Sequence, residues 1–298
     1  MLPDFVIIGA QKSASTFVQS CLAEHPDIYM PNGEIPFFET PDYESGDISM
    51  VEALFNGRNE SCLGIKRPNY LARTEVPTRL MRHLPEAKLI VVLRNPVERA
   101  LSAYFHLINY GFIPPLDAEV GLPKCFDDCD YLTRFPRASE ILEFGFYGKC
   151  MQRYLYYLDR GRLLCFLHED ILSDPYAAIR KAYSFLEVDD AYTPVSLSSR
   201  PQKVVYNISR LKLLSLRNRF MYEYFDGNSR LRVKRMSPSD YLIAGGITLF
   251  DRHIASRLFS NAKPNISTGL KRKMYGYYES DIDQLEKLIS RDLASWRL

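Results

Sequence analysis

The feature of this sequence that most constrains its fold lies near the N-terminus. Residues 5–8, Phe-Val-Ile-Ile, form an apolar, β-branched run typical of a buried strand, and Gly9 after them predicts a tight turn. Hydroxyl residues then precede an apolar periodicity that predicts a helix through Leu22. The N–H groups and the positive dipole end of such a helix favour an anion, and Lys12 lies within reach of one. The segment therefore predicts a strand, a phosphate-sized loop and a helix N-terminus.

This loop differs from the P-loop of nucleoside-triphosphate enzymes. That loop has the pattern Gly-x-x-x-x-Gly-Lys-Ser/Thr, with its lysine directly after the second glycine and a hydroxyl group for magnesium. Here Lys12 comes three residues after Gly9, and the hydroxyl residues follow it. An ordinary strand, loop and helix with a solvated lysine is therefore the alternative interpretation of this segment taken alone.

A second strand and helix supply another candidate anion site. Residues 88–93, Lys-Leu-Ile-Val-Val-Leu, are apolar on both faces, which is typical of a central strand in a parallel sheet. Pro96 suits the first turn of a helix directly behind this strand, and Arg94 stands at the strand's carboxyl end. Ligands of open parallel sheets bind at that edge. Both segments therefore place cationic side chains on the same edge of one sheet.

The alternation of strand and helix patterns along the chain predicts an α/β fold with a central parallel sheet flanked by helices. A length of 298 residues suits one domain, 1–298, with its core motifs at 4–190 and a helical covering region at 191–298. Residues 110–137 are rich in Gly, Pro and Asp and predict a long loop or lid. Residues 139–158 predict one helical segment.

Composition excludes some classes of function. The 38 Lys and Arg residues against 36 Asp and Glu leave a net charge of +2, so we expect no nucleic-acid partner, and any anion site must be local. No apolar stretch reaches the ~20 residues of a membrane span, and no export signal is visible, so we expect a soluble, cytoplasmic protein. The six cysteines lack the paired spacing of zinc ligands, and we expect no metal. Residues 192–235 are basic, either as solvated helix faces or as a patch for an anionic substrate.

The two anion-binding segments together resemble the sulfotransferases that use 3′-phosphoadenosine 5′-phosphosulfate (PAPS). The 5′-phosphosulfate loop of that family, Gly-x-x-Lys-x-Gly-Thr-x-x-Leu, is matched by Gly9, Lys12, Ser15 and Thr16. The 3′-phosphate element, Leu-Arg-Asn/Asp-Pro-x-x-Arg-x-x-Ser-x-Tyr, is matched by Leu93, Arg94, Asn95, Pro96, Arg99, Ser102 and Tyr104. The match to the 3′-phosphate element is the more specific of the two for this family.

The resemblance is closest to the heparan-sulfate-type branch and covers residues 4–190. Glu34-Ile-Pro-Phe-Phe resembles the branch's Glu-x-His-Phe-Phe, Lys66-Arg-Pro-Asn-Tyr resembles Lys-x-Pro-x-Tyr, and a third match begins at Gly145. Two departures matter. Ala14 replaces the usual loop glycine, which we expect to be tolerated only with a negative φ. Pro36 replaces the branch's histidine, so a catalytic role at that position is lost.

The resemblance implies a role for each matching residue. The loop residues would hold the 5′-phosphosulfate, and they are Gln11, Lys12, Ser13, Ala14, Ser15 and Thr16. Lys12 would also neutralise the leaving phosphate, Arg94 and Ser102 would hold the 3′-phosphate, and Lys66 would assist the sulfonate or the acceptor. Arg99 would either join the phosphate site or pair with a structural carboxylate.

Two residues are candidates for the base that takes the acceptor's proton. Glu34 matches the catalytic carboxylate of the heparan-type enzymes, and His106 matches the histidine of the heparan N-sulfotransferase. A neutral imidazole suits proton removal near pH 7, whereas a carboxylate needs burial or coupling to raise its pKa. We favour Glu34, and a structural role is the alternative for His106.

The resemblance predicts transfer of a sulfuryl group from PAPS to a hydroxyl or amine of a small-molecule, carbohydrate or lipid acceptor, leaving adenosine 3′,5′-bisphosphate. The sequence leaves the acceptor and the oligomeric state open. A small-molecule kinase is an alternative, but it needs a Gly-Lys-Ser/Thr loop and a magnesium carboxylate that the sequence does not show. A nucleotide-binding module without transfer activity is another.

Overall fold

A five-stranded parallel sheet lies at the centre of the first of two compact units. The computed structural model describes residues 1–198 and 204–297. The first unit comprises Met1–Pro96, Phe146–Pro201 and Tyr278–Arg297, and the second comprises Val97–Gly145 and Gln202–Tyr277. The strands in chain order are β1 Phe5–Gly9, β2 Ile28–Tyr29, β3 Cys62–Lys66, β4 Lys88–Leu93, β5 Leu163–Leu167, β6 Tyr222–Phe225 and β7 Arg230–Val233.

Fifteen α-helices accompany these strands in the described residues. They are α1 Ser15–Leu22, α2 Ser49–Glu52, α3 Val76–His83, α4 Pro96–Asn109, α5 Ala118–Asp127, α6 Cys129–Arg134, α7 Glu140–Glu143, α8 Tyr147–Gln152, α9 Leu155–Leu158, α10 His168–Ser173, α11 Pro175–Leu186, α12 Ile208–Met221, α13 Pro238–Phe250, α14 Ser256–Leu258 and α15 Thr268–Ile289. None of them, within the ranges described, combines the length and the apolar character needed to cross a membrane.

The sheet has the strand order β2-β3-β1-β4-β5, and every neighbouring pair is parallel. This order confirms the predicted α/β class with a central parallel sheet. β1 and β4 are central strands, and all five residues of β1 are buried, as their apolar runs predict. Because β1 lies between β3 and β4, the loops that follow these three strands emerge side by side at the carboxyl edge.

Alternate strand residues pack against the helices that cover one face of the sheet. The buried cluster on this face contains Phe5, Ile7, Ile90, Val92, Leu164 and Phe166 from the strands and Val18, Cys21, Leu22, Ile179, Ala182 and Tyr183 from α1 and α11. The Tyr183 hydroxyl donates to the Cys21 carbonyl oxygen at 2.9 Å, which ties α11 to the last turn of α1. This packing fixes the helix that follows the first loop.

The second unit corrects the prediction of a long loop at 110–137. The helices α5 and α6 occupy most of that segment. Each begins at an aspartate whose carboxylate accepts a backbone N–H: Asp117 accepts from Glu119 at 3.0 Å, and Asp128 accepts from Tyr131 at 2.9 Å. The Asp residues taken as loop formers are therefore N-caps.

The prediction of one helix at 139–158 was also too simple. That segment is helical but divided into α7, α8 and α9, and Phe146 at the start of α8 has the non-helical torsion angles φ −78° and ψ 73°. In the covering region 191–298 the described part is mostly helical, with one antiparallel hairpin of β6 and β7. Residues 199–203 and 298, which include the basic Arg200 and Lys203, lie outside the described residues.

Candidate active site

The loop between β1 and α1 turns through backbone conformations that are unusual for non-glycine residues. Ala14 is the N-cap of α1 and has φ 75° and ψ 15°, so the expectation of a negative φ was wrong. Its carbonyl oxygen accepts the N–H groups of Phe17 at 3.0 Å and Val18 at 3.2 Å, which starts the helix without a side-chain cap. Lys12 also has a positive φ, 66°. The left-handed conformation costs an L-residue about 1–2 kcal/mol, so the loop holds strain where the helix begins.

The start of α1 offers backbone donors to an anion. Ser15 and Thr16 are the first two residues of the helix, so the helix itself provides no acceptor four residues back for their N–H groups. The Ser13 side chain is 0% exposed, and its Oγ has no hydrogen-bonding partner in the part of the chain that the structure describes. Donors at a helix N-terminus together with an unsatisfied hydroxyl suit a bound phosphate or sulfonate group.

Lys66 connects this loop to the neighbouring strand. It ends β3, is only 3% exposed, and donates from Nζ to Thr16 Oγ1 at 2.9 Å. Its Nζ also lies 3.6 Å from Glu34 Oε1. Burial lowers the pKa of Lys66, and the neighbouring Glu34 carboxylate partly opposes that shift. The structure therefore brings three residues predicted for the site into one polar network.

Glu34 is held beside β3 by its own segment of chain. The N–H of Ile35 donates to the Lys66 carbonyl oxygen at 3.0 Å, and the Tyr70 hydroxyl donates to the Ile35 carbonyl oxygen. Arg67 donates from Nη1 to Glu34 Oε2 at 2.7 Å and from Nε to Glu39 Oε1 at 2.8 Å. Glu34 thus stands between one buried ammonium and one guanidinium.

Arg94 lies on the other side of the loop, at the end of β4. Its Nη1 donates to the Lys12 carbonyl oxygen at 3.3 Å. Burial lowers the pKa of Lys12, the Arg94 charge lowers it further, and the Glu34 carboxylate acts in the opposite direction. The Arg94 guanidinium thus contacts the loop backbone at the carboxyl edge of the sheet.

His168 was missed by the sequence reasoning. β4 and β5 pair with Leu93 opposite Leu167, so Arg94 and His168 each follow a paired residue at the same edge. His168 is half-buried, and burial together with the Arg94 charge lowers its pKa to about 4. The imidazole is therefore neutral near pH 7. Its one signal in the sequence is its position directly after a strand.

Close packing below the loop explains Gly9. A Cβ atom there would lie 2.8 Å from Leu71 Cβ and 3.2 Å from the Pro68 carbonyl oxygen. The Leu71 N–H donates to the Ile8 carbonyl oxygen at 2.9 Å, so this approach belongs to the turn that follows β3. Gln11 donates from Nε2 to Asn69 Oδ1 at 3.3 Å. The end of β1 and the start of the loop are thus tied to the turn after β3.

Three further residues of the predicted motif belong to the second unit. Ser102 and Arg99 are buried in α4, and the Arg99 Nη2 donates to the Ile141 carbonyl oxygen. The Nε and Nη1 atoms of Arg99 are buried without a hydrogen-bonding partner in the described ranges. The His106 ring is half-buried, with its centroid 4.8 Å from that of Tyr110. Their roles toward a nucleotide stay predictions.

The site in the first unit is therefore a cluster of cations around a helix N-terminus. Lys12, Lys66 and Arg94 converge on the loop, whereas Glu34 is the carboxylate whose charge opposes the pKa shifts of both lysines. Cations at the positive end of a helix raise the local potential and favour an anion with more than one charge. The residues present suit a phosphosulfate group.

A sulfotransferase domain model matches residues 2–218, which is more than two thirds of the sequence. The chain belongs to the sulfotransferase family. It is 30% identical over 203 residues to the human bifunctional heparan sulfate N-deacetylase/N-sulfotransferase 2, and 27% identical over 190 residues to the mouse heparan sulfate glucosamine 3-O-sulfotransferase 3A1. These matches cover 63% and 62% of this chain but only 22% and 46% of the relatives' own lengths.

A solved structure supports the fold. The crystal structure of a sulfotransferase from Alicyclobacillus acidocaldarius matches with a TM-score of 0.70 at 22% identity and covers 100% of both chains. At this identity the likeness establishes the architecture, which agrees with the parallel sheet described above.

Proposed function

We propose that this chain transfers a sulfuryl group from PAPS to a hydroxyl or amine acceptor. The observation that carries the proposal is the network in which the Lys66 ammonium joins Thr16, at the N-terminus of α1, to Glu34. It puts a cation, a hydroxyl and a carboxylate beside the loop that carries Lys12. Sulfuryl transfer needs these elements: positioning, charge stabilisation and a group that accepts a proton.

Two groups of residues would bind the donor, one at each of its anionic ends. The N–H groups at the start of α1, with the loop residues from Gln11 to Thr16, would bind the 5′-phosphosulfate. Arg94, whose guanidinium already contacts the loop backbone, would bind the 3′-phosphate, and the family motif implies the same role for Ser102. Among the known groups that present two such anionic ends, PAPS carries the sulfuryl group that this family transfers.

The transfer step forms one bond and breaks one. The acceptor oxygen or nitrogen attacks the sulfur atom, the bond from sulfur to the 5′-phosphate oxygen breaks, and its electron pair stays on that phosphate. Lys12 stabilises the charge that develops there, and Lys66 stabilises the sulfonate oxygens. The acceptor's proton passes to a base of the chain, and adenosine 3′,5′-bisphosphate leaves.

We assign the base to Glu34 and keep His106 as the alternative. Glu34 lies in the same polar network as the loop, 3.6 Å from the Lys66 Nζ, and its backbone is fixed to β3 through Ile35. This arrangement positions the carboxylate beside the loop, where it could take the acceptor's proton. The position of Glu34 within the first unit's cluster supports the assignment.

The proposal extends to the acceptor and its location. We assign residues 1–298 to one sulfotransferase domain with a helical substrate-covering region at 191–298, because the Alicyclobacillus structure matches over the full length. The acceptor is a small molecule, a carbohydrate or a lipid of specialised metabolism. The reaction takes place in the cytoplasm, and the six free thiols of the chain suit that reducing compartment.

Incubation with PAPS labelled in its sulfonate group and a panel of alcohols, amines and oligosaccharides tests the proposal. Lys12→Ala should abolish label transfer, while the control Lys181→Ala, at an exposed lysine of the same unit, should retain it. Circular dichroism of each variant checks the fold. Near-normal transfer by Lys12→Ala would refute the assignment, and binding of adenosine 3′,5′-bisphosphate without turnover would favour a binding module.

A further inference from the structure

The second unit presents an apolar helix surface to solvent. In α13 residues 241–250 read Tyr-Leu-Ile-Ala-Gly-Gly-Ile-Thr-Leu-Phe, a run without a charge, and Ala244 is the helix's buried residue. Leu242 is 74% exposed and Leu249 is 59% exposed. Residues seven apart on a helix share one face, and Phe250 extends it. We use the name apolar face for six exposed side chains of α13 and of the helical turns that follow it: Leu242, Ile243, Leu249, Phe250, Ile254 and Leu258.

The exposure of this face is fixed by packing on its other side. α13 packs on α12, and a buried ion pair joins the end of α13 to the start of α12. In that pair Arg210 donates from Nε to Asp251 Oδ1 and from Nη2 to Asp251 Oδ2, each at 2.9 Å. Bidentate pairs of this kind hold both orientation and distance. The apolar face therefore points outward from an anchored helix.

Positive charge is concentrated in the same stretch of chain. Residues 204–262 contain ten Lys and Arg against four Asp and Glu, a net charge of +6, whereas the whole chain carries +2. The remainder is therefore net −4. Among these cations, Lys234 and Arg235 precede α13, and Arg252 and Arg257 follow its apolar run. The Lys234 Nζ is 3.7 Å from Asp240 Oδ2 in the first turn of α13, so this basic side chain adjoins the helix.

We propose that the apolar face docks on the surface of a lipid bilayer that contains anionic headgroups. A helix with an exposed apolar face and positive charge at its flanks lies in the plane of the interface, with its apolar side chains among the acyl chains. The run of ten uncharged residues is far shorter than the ~20 residues of a span. Arg252, Arg257, Lys234 and Arg235 would contact the headgroups, as juxtamembrane basic residues do.

Charge also argues against the other occupants of this face. A second copy of the chain would bring two segments of net charge +6 together in an isologous contact, and like charges in an interface oppose association. A nucleic acid would satisfy the cations but would leave the exposed leucines in water. An anionic bilayer satisfies both the charges and the apolar side chains.

Co-sedimentation of the full chain with lipid vesicles tests this proposal. The chain should pellet with vesicles of phosphatidylcholine mixed with phosphatidylglycerol and much less with phosphatidylcholine alone. Leu242→Ser and Leu249→Ser should each weaken partitioning about tenfold, since each removes one leucine from the acyl region. Arg252→Gln and Arg257→Gln should each weaken it about fivefold.

Matched controls exclude a general effect of surface change. Leu172, in α10 of the first unit, is 70% exposed, so Leu172→Ser changes the same residue type at nearly the same exposure and should leave partitioning unchanged. Thermal unfolding checks each variant's fold. Equal binding of the Leu242→Ser and wild-type chains would overturn the proposal, as would absence of binding to anionic vesicles. So would light scattering that shows a dimer dissolved by the leucine substitutions while vesicle binding persists.

Discussion

Replacing Ala14 by glycine should stabilise the protein, although glycine destabilises the interior of a helix. Ala14 is the N-cap of α1 and holds φ 75°, in the left-handed region. Glycine adopts this conformation without the penalty that an L-side chain incurs. Ala14→Gly removes the conflict between the Cβ atom and the backbone and keeps the carbonyl oxygen that starts the helix.

The expected gain follows from two opposing effects. Relief of the left-handed conformation is worth about 1–2 kcal/mol. Against it, glycine gives the unfolded chain more conformational freedom, which costs about 0.4–1 kcal/mol. Glycine is also a better N-cap than alanine, which adds to the stabilisation. We therefore expect Ala14→Gly to raise the free energy of unfolding by about 0.5–1 kcal/mol.

The other end of the same helix supplies the control. Ala23 is the C-cap of α1 with φ −69°, an ordinary right-handed conformation. Ala23→Gly gains nothing from glycine's freedom in the folded state and should lose about 0.5–1 kcal/mol. Urea unfolding followed by circular dichroism gives both midpoints, and equal slopes would show that only stability changed.

The two variants should thus shift the midpoint in opposite directions. If Ala14→Gly lowered the free energy of unfolding as Ala23→Gly does, the positive φ at Ala14 would not be a source of strain.

Other perturbations test the site itself. Lys66→Met should reduce transfer about a hundredfold. It should leave the thermal midpoint near that of wild type, because methionine fills the space and removes a buried charge. Rate assays and calorimetry measure the two effects, and unaltered transfer would contradict the role of Lys66. Glu34→Gln and His106→Ala identify the base, since the variant that lacks the base should lose about 10²–10⁴ in transfer rate. A wild-type rate in either variant would show that its substituted residue is not the base. His168→Gln should reduce the loss of the free energy of unfolding as the pH is lowered. The pKa of His168 is lowered from 6.5 to about 4 in the folded chain, so the unfolded chain binds a proton that the folded chain does not, and stability falls as pH drops from 6.5 to 4. After allowance for its partial exposure, the loss is about 1–2 kcal/mol; urea titrations at several pH values check it, and parallel curves for wild type and variant would contradict it.

The sheet could be predicted because its strands carry the signal within themselves. β1 and β4 are unbroken apolar runs, and burial on both faces requires such runs whatever the rest of the chain does. The segment 110–137 failed because Asp favours both turns and N-caps. Only the residues that follow distinguish them, and after Asp117 and Asp128 they form helices.

The candidate site divides in the same way. Lys12 and Arg94 could be found because Lys12 lies in the short loop after one recognisable strand and Arg94 directly follows another. The lowered pKa of His168 could not, because it depends first on burial in the folded chain and then on Arg94, which lies far away in sequence and comes near it through the pairing of β4 with β5. The φ of Ala14 was predicted with the wrong sign because the path from β1 to α1 sets it, and the alanine side chain does not.

The charges around the loop explain why this edge of the sheet suits an anion. Burial lowers the pKa of Lys12 and the positive charge of Arg94 lowers it further, so keeping the ammonium charged costs free energy. The Glu34 carboxylate offsets part of that cost, although it also forms an ion pair with Arg67. An anion at the N-terminus of α1 would stabilise both cations and the helix dipole at once. Compensation of these positive charges is therefore one reason why an anionic ligand would suit the first unit's cluster.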